Sequence, residues 1–455
     1  MTFNRKNQLS ILEKLYNSTE NNAVVFYSAN DSDLDEIIKE FLIDKDFFYY
    51  NSVQVSKDEQ LRLFVNSINS QLSKLSISEY SYADALKVMQ EVKCEKRVVV
   101  INEFQHIIRF STDLIDEILK CINNKWGNQP VLFILTSTNQ YFIENQIVEK
   151  LGSYAYELSG LIKLSELTFK DIVSYFGNYS TEDRILAYGI TAGKSERIKA
   201  FNPDISLKDN IIQNILDKNS YLYQRGTSIL PPELREHSVY NTILLSLANG
   251  YTKLNDIHKR TGYSRAKISV YLNNLIEHNL IEKIDSFDSL GKDNAVKGVY
   301  AIKDGFLSFF YRFVFPNMSM LDVLSPDKFY KNYIAENLAD YGCYYFRKVC
   351  YEYLMILDKL EKLPIKIKES GIWLGKIGNI DIVCTDTNEN TLIGYCEFTK
   401  DKMTFEDFEW LQFCVSKAKL SDDVYYLFSK NGFDERIHEY AGQKNNVVLI
   451  DAAML

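Results

Sequence analysis

At 455 residues, 46% of them hydrophobic, the chain is long enough for roughly two to four domains with cores of their own. Its net charge of -9 and a pI near 5.3 exclude an overall basic field that would draw it onto nucleic acid, so any such contact must come from a local patch. The seven cysteines are odd in number and hold no CxxC pair, which argues against a disulfide framework and a structural zinc and fits a reducing cytoplasm.

The N-terminal MTFNRKNQLSILEKLY interrupts its apolar residues with polar ones, so no cleaved leader is expected. No uninterrupted apolar run is long enough to predict a membrane span. Leu9, Leu12 and Leu15 recur at helical spacing, AVVFYS (23–28) is a short apolar run, and Leu34, Ile37, Ile38 and Phe41 mark one face of a following helix. RVVVINEF (97–104) and PVLFILTST (130–138) are two further apolar runs with helical segments between them. Such runs predict an α/β class with a parallel sheet covered on both faces. From about Leu164 to Glu236 the pattern is helical. A compact unit follows at about 238–302, then the aromatic stretch DGFLSFFYRFVFPN, then a last α/β segment running to Leu455. The expected divisions are 1–163, 164–236, 237–325 and 326–455. With only 7 prolines and no low-complexity tract, the joints should be packed rather than loose.

Residues 24–42, VVFYSANDSDLDEIIKEFL, read as a strand, a turn and an amphipathic helix. A working phosphate loop, G-x-x-x-x-G-K-[ST], uses glycines to wrap the phosphates, lysine to neutralise them and a hydroxyl to hold magnesium. The stretch resembles the AAA-like P-loop ATPases of the archaeal STAND-like branch, whose loop reads approximately Y-G-R-R-R-x-G-K-T before a helix ending in K-E-F. Tyr27 and KEF (39–41) hold that frame without a gap. Ser28 and Asp33 then stand where the family has glycines, Leu34 where it has the phosphate lysine, and Asp35 where it has the magnesium hydroxyl. Asp31, Asp33 and Asp35 set negative charge against a polyphosphate, each close pair costing about 1 to 4 kcal/mol. The same acids favour a helix N-terminus by roughly 0.3 to 1 kcal/mol. No cofactor is therefore expected; the resemblance implies ATP and magnesium only if the loop still works.

VVVINEFQHI (98–107) is similar to the family's Walker B strand, whose hydrophobic run ends in D-E-F-Q. Asn102 replaces the magnesium-orienting aspartate and Glu103 survives as a residual catalytic base. An amide holds magnesium less well than a carboxylate, since hard cations prefer anionic oxygen. YGITAGKSERI (188–198) carries a Gly193-Lys194-Ser195 lookalike, but its spacing to Gly189 is one residue short and a helical pattern precedes it, so a structural glycine turn is expected.

Between 238 and 302, three helical patterns broken at Gly250 and Gly262, followed by a hairpin-like stretch, predict a winged helix-turn-helix. Ser264 should cap its third helix, Ile268, Leu272 and Leu275 should face the core, and Arg265, Lys267, Tyr271 and Asn274 are the DNA-reading candidates. Lys292 and Lys297 on the wing are candidate phosphate contacts. In the resembling ATPases such a module also serves protein contacts, and both readings stay open. The C-terminal stretches YGCYYFRKVCYEYL (341–354), WLGKIGNIDIV (373–383) and IGYCEFTKDKMTFEDFEWL (393–411) follow the order of the restriction-endonuclease-like PD-(D/E)XK domain that trails the same ATPases. That resemblance implies metal-assisted hydrolysis by an upstream glutamate, an aspartate and E-x-K. Here Arg347 stands at the upstream glutamate and Asp381 is kept, while Tyr395 and Glu397 occupy the E-x-K positions. Shifting the frame to make Glu397 a ligand puts Thr399 at the lysine position and predicts Lys400 on the opposite face of the strand. Asp381 and Glu397 remain as residual ligands, and no metal is expected.

Together these residues predict a degenerate member: a P-loop NTPase-like α/β core, a helical subdomain, a winged helix and a nuclease-like tail, retained for binding. The partner implied is a protein, an active ATPase relative among the options, with DNA through the winged helix as the alternative and no membrane. A residual ATPase working through Glu103 is the further alternative.

Overall fold

The computed structural model describes residues 6–28, 31–72, 81–92, 94–123, 130–231, 234–290 and 298–455. It divides into two units, Met1–Glu166 with Lys194–Glu196, and Leu167–Gly193 with Arg197–Leu455.

The first unit is built on β1 (Asn22–Tyr27), β2 (Asp46–Asn51), β3 (Arg97–Asn102), β4 (Val131–Ser137) and β5 (Gly160–Lys163), in the order β2-β3-β4-β1-β5 with every pair parallel. The central strands are apolar throughout because both faces are covered. Val24, Phe26, Val98, Val100, Leu132 and Ile134 enter one core with Leu34, Ile37, Ile38 and Phe41 of helix α1 (Asp31–Leu42). Their neighbours Val25, Val99, Ile101, Phe133 and Leu135 enter the other, where Phe64 meets Phe48, Tyr50 and Tyr82 edge-on. The alternation of strand side chains thus divides the residues between two cores. The α/β class and the parallel sheet agree with the sequence reading, and the strand order is that of a P-loop NTPase-like sheet.

The second unit begins with short helices, among them α2 (Thr181–Thr191), which Ala192 ends in the left-handed conformation. Three helices follow, α3 (His237–Ala248), α4 (Leu254–Thr261) and α5 (Arg265–Glu277). The antiparallel hairpin of β6 (Ile281–Asp285) and β7 (Gly298–Ile302) comes next. Gly262, at φ +74°, ends α4 where a side chain would be strained. Ser264 caps α5, its Oγ accepting from Lys267 N at 3.2 Å, and Ile268, Leu272 and Leu275 are fully buried, as the sequence implied.

The long helix α6 (Leu338–Lys359) precedes a mixed sheet of β8 (Glu369–Leu374), β9 (Asn379–Thr385), β10 (Thr391–Glu397), β11 (Val424–Ser429) and β12 (Val447–Asp451), in the order β12-β11-β10-β9-β8. β8, β9 and β10 run antiparallel, while β10, β11 and β12 run parallel. Helix α7 (Phe405–Ala418) covers one face through Phe408, Leu411, Cys414 and Val415.

Candidate functional site

Ligands of open α/β sheets sit beyond the carboxyl ends of the strands. At that end of β1, Ser28 is buried and its N–H donates to the Ser137 carbonyl at 3.1 Å. Helix α1 begins at Asp31, and Asp33 in its first turn is buried, accepting from the Ser195 hydroxyl within the same unit. Leu34 is 1% exposed and packs with Leu12, Val24 and Phe26, so the position of the resembling family's phosphate lysine is a core position here. Asp35 turns outward and pairs with Lys39, one helical turn on, at 3.4 Å.

Asn102, at the end of β3, is buried and wholly engaged in joining strands. Its Nδ2 donates to Asn51 Oδ1 at 2.9 Å, and its Oδ1 accepts from the Thr136 hydroxyl. Its carbonyl takes both the N–H and the hydroxyl of Ser52. Glu103 follows at φ 54°, a left-handed conformation uncommon for a residue with a side chain. Its Oε2 accepts from Thr138 Oγ1 at 2.9 Å and from Gln105 Nε2, while Oε1 is buried with no partner among the described residues. These groups could orient a water, but they offer a triphosphate no counter-charge. Among the described residues, Leu34 is spent on the core and Asn102 on the sheet, so neither takes the part that the resembling family gives its position in holding Mg-ATP.

The second constellation lies wholly in the second unit. Arg347 on α6 donates from Nη1 to Asp381 Oδ1 at 3.3 Å, and the Cys396 N–H donates to Asp381 Oδ2 at 3.0 Å. Burial pushes the Asp381 carboxyl above its usual range, and Arg347 and the Cys396 N–H pull it partway back. Glu397 Oε1 accepts from Thr399 N, Thr399 Oγ1 and Lys400 N at 2.9 to 3.0 Å. The placement of Lys400 on the opposite face is corrected: β10 ends at Glu397, the chain turns back, and Lys400 Nζ lies 3.9 Å from Glu397 Oε2 while bonding Asp407. Strand alternation no longer applies once the strand has ended. Tyr395 sits two residues earlier on β10, its phenol raised by burial. Among the described residues no group of three or more His, Cys, Asp and Glu could hold a metal. The Arg347 guanidinium, 3.3 Å from Asp381 Oδ1, stands where a cation on that carboxylate would have to compete with it.

On α5 the DNA-reading candidates are engaged within the chain. Lys267 Nζ lies 3.5 Å from Glu236 Oε2 and over the rings of Tyr263 and Tyr271, whose hydroxyl also donates to Glu236. Arg265 donates to Asn255 and Asn274 to Tyr240. Lys292 and Lys297 lie outside the described residues. Asn51, Thr136 and Glu236, partners that sequence reading missed, stand far along the chain from Asn102 and Lys267 and carry no local signal, while Ser195 stands out in the sequence only as part of the phosphate-loop lookalike and not as a partner of Asp33.

A family model for archaeal and bacterial proteins of unknown function matches residues 310–408, a span that includes Arg347, Asp381 and Glu397. An uncharacterized protein of Methanocaldococcus jannaschii is 23% identical over 395 residues, 86% of this chain and 85% of that protein. Among solved structures, a Walker-type ATPase of Pyrococcus abyssi is 14% identical over 68% of this chain and 96% of its own, with a TM-score of 0.46. The ORC2 protein of Aeropyrum pernix, in ADPNP-ADP complexes, is 11% identical over 71% of this chain and 94% of its own, with a TM-score of 0.42. Among the described residues no helix is long and apolar enough to cross a membrane.

Proposed function

We propose that this chain is a P-loop-fold protein that has lost nucleotide hydrolysis and acts as a regulatory or scaffold binding protein through its three-helix-and-hairpin module, read as a winged helix, and its nuclease-like C-terminal sheet. The burial of Leu34 carries this reading. A merely absent lysine could be compensated by another cation, but a leucine packed among Leu12, Val24 and Phe26 makes that position part of the fold. Asn102 supports it too, since both ends of its amide bind neighbouring strands.

The nuclease-like pocket is read the same way. Arg347 provides the positive charge beside Asp381 that a metal would supply, leaving a pocket neutralised from within. The partner is then a protein, and the engagement of Lys267 by Glu236 favours this over DNA. Isothermal titration of the full chain with Mg-ATP tests the proposal. No binding in the micromolar range is expected; micromolar binding would discard it in favour of a residual ATPase acting through Glu103. A pull-down with the full chain is expected to retain a protein partner in a nuclease-treated lysate.

A further inference from the structure

We propose that Ser195, from the Gly193-Lys194-Ser195 turn, serves as an internal ligand at the degenerate loop, holding Asp33 buried and closing the start of α1 to phosphate. This rests on the reading that the loop no longer takes nucleotide and adds what stands in its place. Asp33 is 5% exposed and Ser195 2%, and the Ser195 hydroxyl donates to Asp33 Oδ1 across 162 positions of sequence. A carboxylate in the first turn of a helix needs no burial, because water and the helix N-terminus both stabilise it. Taking it out of water is costly unless a donor comes with it. Ser195 is such a donor, and Lys194–Glu196 belongs with the first unit although the chain on both sides belongs to the second.

The turn that delivers Ser195 explains the lookalike motif. Ala192 at φ 55° and Gly193 at φ +66° are consecutive left-handed residues, which end α2 and redirect the chain. A glycine takes this conformation without the cost borne by other residues. The glycine is thus fixed by the turn and the serine by its acceptor, with no phosphate involved. A hydroxyl suits either anion; here the anion is a side chain of the same molecule. The result is an occluding contact made from within.

Hydrogen–deuterium exchange on the full chain tests this. Ser195→Ala and Asp33→Ala are each expected to speed exchange about tenfold or more, both in the Ser195–Ala200 helix and in the first turns of α1, because a hydrogen bond to a charged acceptor is lost. The double variant should exchange no faster than the faster single variant, and Asp33→Asn, which keeps size and an acceptor, should fall between wild type and Asp33→Ala. Unchanged exchange in Ser195→Ala, or effects that multiply in the double variant, overturns the proposal. Mg-ATP binding by the wild type would sink the pseudoenzyme reading while leaving the exchange result to decide the contact.

Discussion

The side-chain amide of Asn102 donates to Oδ1 of Asn51 at 2.9 Å, tying β3 to β2 at a position where the two residues are in register. Asn102→Asp restores the carboxylate of the resembling family but sets two acceptors against each other. It should destabilise the first unit by about 1–3 kcal/mol, read by urea unfolding. A variant that instead became more stable, and more so with magnesium, would speak for a retained metal site.

Replacing Leu34 with lysine should not recreate a phosphate loop. Leu34→Ala is expected to cost about 2–5 kcal/mol through the cavity it leaves, and Leu34→Lys more, because an ammonium enters an apolar core. Thermal melting should rank wild type above Leu34→Ala above Leu34→Lys, and Mg-ATP should not rescue the last.

Stability should depend on pH through Asp381. Burial holds its carboxyl above the usual carboxylate range, so as pH rises the unfolded chain gives up this proton before the folded one does. The contribution is favourable below the ordinary range and declines as pH climbs from there to the raised value. Asp381→Asn should remove that part of the slope. Arg347→Ala deletes a charge that favours the ionised form and should widen the window, as pH-dependent denaturation would record.

Glu236 should set the charge available on α5. It accepts from the Tyr271 hydroxyl and holds Lys267, and these, the Tyr271 bond first, keep its carboxyl below the usual range. Glu236→Gln frees Lys267 and should strengthen salt-dependent retention on duplex DNA relative to wild type. If wild type already binds DNA strongly at physiological salt and Arg265→Ala abolishes that binding, the helix is a reader and the protein-partner reading of this module is wrong.

The Arg197 guanidinium forms two hydrogen bonds with Asp304, at 2.6 and 2.8 Å, and lies over the Phe306 ring. Both side chains of the pair are about nine-tenths buried. Arg197→Ala removes the counter-charge from a buried carboxylate that keeps its bond from the Leu307 N–H, and should cost about 3–5 kcal/mol. Arg197→Met with Asp304→Leu should recover part of that loss in chemical denaturation, less what the Leu307 N–H gives up with its capping carboxylate.

Much of the fold was legible because its central strands announce themselves. β1, β3 and β4 are apolar runs covered on both faces, and a helix with a leucine and isoleucine stripe follows the first. β2 and β5 went unread for a physical reason: both are edge strands of mixed exposure, so DFFYYN and GLIK lack the continuous apolar signal. The cap at Ser264 and the buried face of α5 were legible too, since both are local patterns.

The sequence by itself determined that Leu34 and the acids Asp31, Asp33 and Asp35 stand in the stretch that resembles a phosphate loop, because charge and residue type need no coordinates. Only the tertiary structure decided what the replacements do. Leu34 completes a core, Asn102 ties strands together, Arg347 neutralises Asp381, and Ser195 reaches Asp33 from 162 residues away. Each depends on a partner distant in sequence, and burial gives that partner its weight: a buried polar group must find its donor or acceptor wherever the fold delivers one.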